Sequence, residues 1–209
     1  MTRPALLALA VLAAPAAAQE RPQPDLAEGE ALEVELRGDF NADMVPDLAY
    51  VAAKEDRREL RVVIGFANET DAGELPAQVL PLDAYPLADA GLSMSGPATG
   101  KVLLFSELTG GTTALASTHR FRWDAKLGAM RLIGLDATLY SRTFAHDGQE
   151  ASWNLLTGDL VTRTLKLNKG RDDRAYTKVR EKRRKKPSKP LRLENAPSGD
   201  DLLGWPSGR

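Results

Sequence analysis

Apolar and polar side chains alternate along several short segments of this chain. In the first of them, Leu32, Val34 and Leu36 fall on one side of an extended backbone, and Glu33 and Glu35 fall on the other. A period of two residues is typical of a β-strand with one buried face. The strands predicted from such alternation and from short apolar runs cover residues 32–36, 48–53, 60–66, 101–108, 115–123, 130–140, 151–155 and 161–167.

Short strands separated by turn residues define the predicted fold. No segment before residue 170 shows a sustained helical period. Residues 124–128 include a glycine and predict a hairpin turn. Val79–Gly100 holds several Pro, Gly, Asp and Ser residues, so it is predicted to be irregular or to carry short elements only. We therefore expect an all-β domain over residues 31–170, with a mostly antiparallel, sandwich-like arrangement and irregular loops.

The first 18 residues have the pattern of a secretory signal peptide. Arg3 precedes an apolar run over Ala5–Ala14, and Ala16–Ala18 supplies small residues for cleavage after about Ala18. The run is about half the length of a membrane-spanning helix, which needs about 20 apolar residues. We expect a periplasmic or secreted protein with a loose mature N-terminus over residues 19–30 and no transmembrane segment in the mature chain.

Charge is sorted along the sequence, although the formal net charge is only −1. Residues 19–100 carry 17 acidic and 6 basic residues, whereas residues 163–192 carry 14 basic and 3 acidic residues. The density of like charge predicts a flexible basic segment over 171–190. Leu and Trp return in residues 191–209, so the C-terminal end is expected either to stay free or to dock on the domain.

The basic segment suggests two kinds of partner. Lys178–Lys189 would bind anionic envelope polymers or a membrane surface, or it would lie against the acidic N-terminal half of the same chain. Nucleic acid is not expected, because Tyr176 is the one aromatic residue near the basic run and base stacking needs more. In either case the sequence predicts that a chain ending at Thr177 still folds.

Composition excludes several kinds of chemistry. The chain has no cysteine, which excludes disulfides, a thiol nucleophile, iron–sulfur clusters and cysteine-based zinc sites. Its two histidines, His119 and His146, are too few for a histidine-rich metal site. His119 lies in an alternating strand and is predicted to be packed, whereas His146 lies in a turn and is predicted to be exposed. No serine is placed in a pattern that predicts a nucleophile.

One loop has oxygen-bearing residues at alternating positions. It starts at Gly38 and reads GDFNADMVPDLA, between two predicted strands. The candidate ligands are the side chains of Asp39, Asn41, Asp43 and Asp47 and the backbone carbonyl of Val45. Ca²⁺ takes six to eight oxygen ligands, so such a loop can wrap around one ion. The alternative is an acidic turn whose Asp and Asn side chains accept hydrogen bonds from their own backbone.

This loop resembles the calcium loop of the FG-GAP or VCBS-type repeat, with the resemblance covering residues 37–73. It implies that the same Asp and Asn side chains hold a Ca²⁺ ion. Ala42 and Met44 stand where that family usually has glycine, which implies weak binding. A single copy does not predict a closed propeller. Residues 120–122, 131–134 and 154–158 resemble motifs of secreted bacterial proteins with the same loop, which implies one compact domain.

These observations favour an exported cell-envelope protein with a non-enzymatic binding or structural role and one weak Ca²⁺ loop. The first alternative is an envelope enzyme with its active site in the loops Val79–Gly100 or Gly110–Thr113. The second is an adaptor that binds anionic surfaces through the basic segment. Perturbed titratable groups in a cleft would favour the enzyme.

Overall fold

The computed structural model describes residues 21–97, 101–168 and 175–204. The predicted signal peptide lies outside these residues and stays a prediction. The strands are β1 (Ala31–Gly38), β2 (Asp47–Lys54), β3 (Arg57–Val63), β4 (Gly65–Ala67), β5 (Ala72–Glu74), β6 (Gln78–Pro81), β7 (Ala88–Ser95), β8 (Val102–Gly110), β9 (Thr113–Asp124), β10 (Ala129–Ser141), β11 (Gly148–Asn154), β12 (Asp159–Leu167), β13 (Tyr176–Lys185) and β14 (Leu191–Arg192). A short 3₁₀ helix, Leu193–Asn195, and the helix α1, Gly199–Leu203, follow.

The strands form two main sheets, and every strand pair is antiparallel. The smaller sheet has the order β1-β2-β3-β6. The larger one has the order β13-β12-β11-β10-β9-β8-β7, and β14 pairs with β10. A third pair, β4 and β5, forms a small ribbon beside them. The all-β, antiparallel fold class predicted from the sequence is confirmed.

One hydrophobic core joins the two sheets. Val51, Leu60 and Val62 of the smaller sheet belong to the same buried cluster as Phe105 and Phe121 of the larger sheet. Leu60, Val62, Phe105 and Phe121 stand at alternating positions of their strands, which direct these side chains inward. β2 comes from an apolar run and is buried on both faces, with Leu48, Tyr50 and Ala52 in a second cluster. The arrangement is sandwich-like, because the inner face of each sheet packs against the inner face of the other.

Val79–Gly100 was predicted to be irregular or to carry short elements only, and the structure has the four-residue β6 and the eight-residue β7 there. β6 and β7 lie within Val79–Gly100 or at its edge, and residues 98–100 are outside the described part. Leu80 and Ala90 are buried in the core, which holds these strands in place despite their poor strand composition. Tertiary pairing has therefore overridden local propensity.

Residues 21–30 contain no strand, but hydrogen bonds attach them to the smaller sheet. Arg61 Nη1 donates to the Asp25 carbonyl at 2.8 Å. Arg37 donates to the Pro22 carbonyl. Both donors are on the smaller sheet, so residues 21–30 lie along it rather than apart from it.

The basic segment contains a strand where the sequence predicted flexibility. β13 pairs with β12 from Tyr176 to Lys185. Glu181 accepts from Arg163 Nε at 2.7 Å, and Lys185 is 2.7 Å from Asp159, so ion pairs support the pairing. Within the described residues the ion pairs of β13 are with β11, β12 or β13 itself, and none joins it to the acidic N-terminal half. Charge density alone therefore did not predict the conformation.

Residues 191–204 of the C-terminal end dock on the domain. Leu193 and Leu202 are buried in the core. A Cβ atom on Gly199 would lie 3.0 Å from the Ser117 Cβ, so α1 packs closely on β9. The sequence prediction that a chain ending at Thr177 folds is not supported by this packing, since that chain lacks both core leucines.

Candidate functional site

The acidic loop lies where the sequence placed it, between β1 and β2. Ala42 and Met44 have φ values of 66° and 67°. These are the two positions where the FG-GAP-type loop usually has glycine, and a left-handed conformation costs a non-glycine residue about 1–2 kcal/mol. The Met44 side chain is 92% exposed, so packing does not offset this cost. The backbone therefore takes the path that glycines would favour, without glycines.

Side chains of the loop turn towards its own backbone. Asp39 accepts hydrogen bonds from three backbone N–H groups of the loop at 2.7–3.2 Å. Asp43 Oδ1 accepts from the Val45 N–H at 2.8 Å, and Asn41 Nδ2 donates to Asp43 Oδ2 at 2.8 Å. The structure thus brings Asp39, Asn41 and Asp43 together at the exposed side of the loop. These side-chain to backbone hydrogen bonds are also the ones expected if the loop is only an acidic turn.

Asp47 has a different environment from the other candidate ligands. It is fully buried, and it accepts from the Phe40 N–H at 2.5 Å and the Gly65 N–H at 2.9 Å. Burial raises the pKa of Asp47 to about 6, against the lowering effect of these two hydrogen bonds. A Cβ on Gly65 would lie 2.5 Å from the Pro46 carbonyl oxygen, so only glycine fits there. Because Gly65 begins β4, its hydrogen bond to Asp47 fastens the loop to β4.

No group of three or more His, Cys, Asp or Glu side chains within residues 21–97, 101–168 and 175–204 is arranged to hold a metal ion. This finding concerns those four residue types, so it does not cover the Val45 carbonyl or the Asn41 amide as ligands. Ca²⁺ binding by Asp39, Asn41, Asp43, Val45 and Asp47 stays a prediction.

A second candidate region is a cleft of about 610 Å³ on the core side of the larger sheet. Three parts of the chain surround it: the end of β6 and the loop that follows, strands β8 and β9, and the C-terminal segment around α1. Five carboxylate side chains line the cleft, and its lining includes no Lys or Arg among the described residues. These acidic residues are Asp83, Glu107, Glu194, Asp200 and Asp201.

Glu107 connects this cleft to a buried ion cluster. Arg58 is 1% exposed and donates to both carboxylate oxygens of Glu33, at 2.6 and 2.8 Å. Its Nη1 lies 3.5 Å from Glu107 Oε2, which has no hydrogen-bond partner. Burial raises the pKa of Glu107, although Arg58 acts in the opposite direction. Because Glu33 and Arg58 belong to the smaller sheet and Glu107 to the larger one, the cluster ties the two sheets together.

His119 lines the cleft from β9 and is 1% exposed, as the sequence predicted for a packed histidine. Its ring lies 5.7 Å from the Phe105 ring and 5.9 Å from the Phe121 ring. Nε2 is 2.9 Å from the Pro197 carbonyl, which assigns the proton to Nε2, whereas Nδ1 has no partner. His119 therefore holds the C-terminal segment against β9.

His119 is expected to contribute a loss of stability on acidification, whereas Asp47, with its pKa raised to about 6, contributes in the opposite direction. Burial lowers the pKa of His119 from 6.5, so the unfolded state takes up this proton more readily than the folded state. Through His119, the free energy of unfolding then decreases as the pH falls below about 6.5, the pKa of an unfolded histidine. Urea titrations between pH 8 and pH 5 would measure the slope. His119→Phe should remove this contribution, so that stability falls less, or rises, between pH 8 and pH 5; an unaltered slope in His119→Phe contradicts the assignment.

The sequence itself contains a signal for the ion cluster of Arg58, Glu33 and Glu107. Arg58 is in phase with Leu60 and Val62 on the apolar side of β3, and Glu107 is in phase with Leu103 and Phe105 on the apolar side of β8. Charged residues in phase with a buried face need a partner. Two such residues of opposite charge predict an ion pair between the sheets.

Comparison of the chain with protein-family models, with curated proteins and with solved structures finds no match. The resemblance of residues 37–73 to the FG-GAP or VCBS-type repeat therefore rests on the loop residues alone. Among the helices of the described residues, none has the length and apolar character to span a membrane.

Proposed function

We propose that the mature protein is an exported cell-envelope protein with a non-enzymatic binding role, and that its β1–β2 loop binds one Ca²⁺ ion weakly. The observation that carries the Ca²⁺ site is the left-handed backbone at Ala42 and Met44, which gathers Asp39, Asn41 and Asp43 on one side of the loop. Asp47 fixes the base of the loop below them. A bound cation would offset the repulsion between the neighbouring carboxylates.

Ca²⁺ is expected to stabilise the mature protein modestly. Extracellular modules bind Ca²⁺ with Kd values of about 10⁻⁴–10⁻³ M, and at ten times Kd the gain is about 1.4 kcal/mol. For a domain of this size the melting temperature should rise by about 3–5 °C over that in chelator. Asp43→Ala should remove the shift, whereas Asp71→Ala, an exposed acid outside the loop, should keep it. A melting temperature that does not respond to 10 mM Ca²⁺ (about ten times the weakest Kd) contradicts the site.

The enzymatic alternative has a specific observation in its favour. Glu107 and His119 both line the cleft, and burial raises the pKa of Glu107 and lowers that of His119. Their unpartnered atoms, Glu107 Oε2 and His119 Nδ1, each expose less than 1 Å². A general acid or base must reach its substrate, and these atoms instead face the ion cluster and the core. We therefore place the enzyme second; a Glu107 carboxyl that titrates as a solvated glutamate in NMR spectra would reverse this order.

A further inference from the structure

The outer edge of β13 is open. β13 pairs with β12 on one side, and in the described part of the chain no strand pairs with its other side. Residues 177–185 are all exposed. An edge strand of this length presents a row of backbone N–H and C=O groups that can pair with another extended chain.

The two faces of β13 differ in how their charges are used. On one face Glu181 is 2.7 Å from both Arg163 and Arg183, and Lys185 is 2.7 Å from Asp159. On the other face stand three cations, whose cross-strand partners on β12 are uncharged. They are Arg180 opposite Thr164, Lys182 opposite Thr162 and Arg184 opposite Leu160. Within the described residues none of these three cations has an ion pair, whereas the cations of the other face all have one.

The three unpaired cations border a groove. It has a volume of about 370 Å³ and lies between β13 and the helix α1, with Thr162, Thr164, Leu202 and Leu203 among its lining residues. Two carboxylates, Asp147 and Glu150, also line it, and each is in an ion pair, with Lys166 and Lys178 respectively, at 2.8 Å. The three cations of β13 therefore remain the charges of this groove that no carboxylate of the described residues neutralises.

We infer that the β13 edge binds an extended acidic peptide segment, which adds to the larger sheet as a further strand and directs alternate carboxylates to Arg180, Lys182 and Arg184. A strand rises about 3.3 Å per residue, so alternate side chains repeat every 6–7 Å on both the peptide and β13. Backbone pairing supplies affinity in this mode of recognition, and the side-chain pattern supplies specificity. The inference is independent of the Ca²⁺ loop.

Two alternative roles for the basic strand predict different behaviour. Basic residues on an edge strand can simply prevent pairing with other chains, in which case no acidic peptide binds. An anionic polymer or membrane surface would attract every exposed basic residue by its charge, and the two faces of β13 would then contribute alike. Recognition of a paired strand instead requires one face and a free peptide backbone.

The test uses the mature full-length chain and a fluorescent eight-residue peptide of alternating Glu and Thr, titrated at low salt. Lys182→Glu should weaken binding by about tenfold or more, because it reverses one charge on the contacting face. Arg183→Glu makes the same change in net charge on the paired face and should weaken binding by less than about threefold. Circular dichroism would verify that both variants keep the β fold.

Three outcomes would overturn the inference. They are the absence of peptide binding, equal weakening by Lys182→Glu and Arg183→Glu, and unchanged affinity for the same peptide with N-methyl groups at alternate residues. The last variant keeps the charge but cannot donate hydrogen bonds at those residues. Vesicles of anionic lipid serve as the competing probe. If they bind the protein and the peptide does not, the basic strand is a membrane-surface site instead.

Discussion

A chain that ends at Pro190 is expected to lose its cooperative unfolding transition, although it retains every strand from β1 to β13. Leu193 is fully buried and Leu202 is 7% exposed, and both belong to the core shared by the two sheets. Their removal uncovers apolar surface of β9, β10 and β6 that the C-terminal segment now covers. Thermal melts followed by near-ultraviolet circular dichroism would detect the loss. A cooperative melt like that of the full chain would show that the C-terminal segment is dispensable.

A point variant measures the same contribution without truncation. Leu193→Ala should lower the free energy of unfolding by about 2–5 kcal/mol, the usual range for a buried leucine replaced by alanine. Leu156→Ala is the matched control, because Leu156 is 48% exposed in the turn between β11 and β12. It should change stability by less than about 0.5 kcal/mol. Equal effects of the two variants would contradict the assignment of Leu193 to the core.

Arg58→Met is expected to destabilise the fold by about 3–5 kcal/mol, the cost of leaving a buried ionic partner uncompensated. Arg58 faces Glu33 and Glu107, whose side chains are each 10% exposed. The loss should shrink as the pH is lowered, because the two abandoned carboxyl groups can then take up protons. Replacing both with glutamine in the Arg58→Met background should also recover part of the stability.

Arg57→Met provides the neighbouring control. Arg57 also forms an ion pair, with Glu30 at 2.6 Å, but its own side chain is 51% exposed. The Glu30 side chain is 2% exposed, yet it keeps its pair with Arg61 at 2.7 Å when Arg57 is replaced. The loss of the half-exposed Arg57 should therefore cost only about 0–1 kcal/mol. Denaturant titrations should therefore give a much lower free energy of unfolding for Arg58→Met than for Arg57→Met. A loss for Arg58→Met no larger than that for Arg57→Met would mean that the cluster does not tie the sheets together.

The parts of the fold that the sequence predicted are those where each strand has its own alternating pattern. In β9, Leu115, Phe121 and the residues between them alternate strictly, and the structure extends this strand over Thr113–Asp124. The loop at Asp39–Asp47 was also located from its own residues.

What the sequence did not predict depends on contacts between distant segments. β13 has a composition that disfavours a strand, and pairing with β12 holds it in place. Lys186, the residue after β13, adds a contact with the Trp153 ring, with its Nζ 4.3 Å from the ring centroid. α1 is only five residues long, too short for a helical period, and a capping box at Ser198 and Asp201 starts it. The cleft forms only when this helix docks, so its lining could not be read from local patterns.

Calorimetric titration of Ca²⁺ into a chelator-treated chain of residues 19–209, without the predicted signal peptide, tests the proposed function most directly. We expect saturable binding of one Ca²⁺ ion per chain with a Kd of about 10⁻⁴–10⁻³ M, lost in Asp43→Ala and kept in Asp71→Ala. Asp43 is the informative position because it lies on the exposed side of the loop and contacts both Asn41 and Val45. Absence of saturable heat up to about 10 mM Ca²⁺, or the same binding in Asp43→Ala, would contradict the Ca²⁺ loop and leave the acidic turn as a purely structural element.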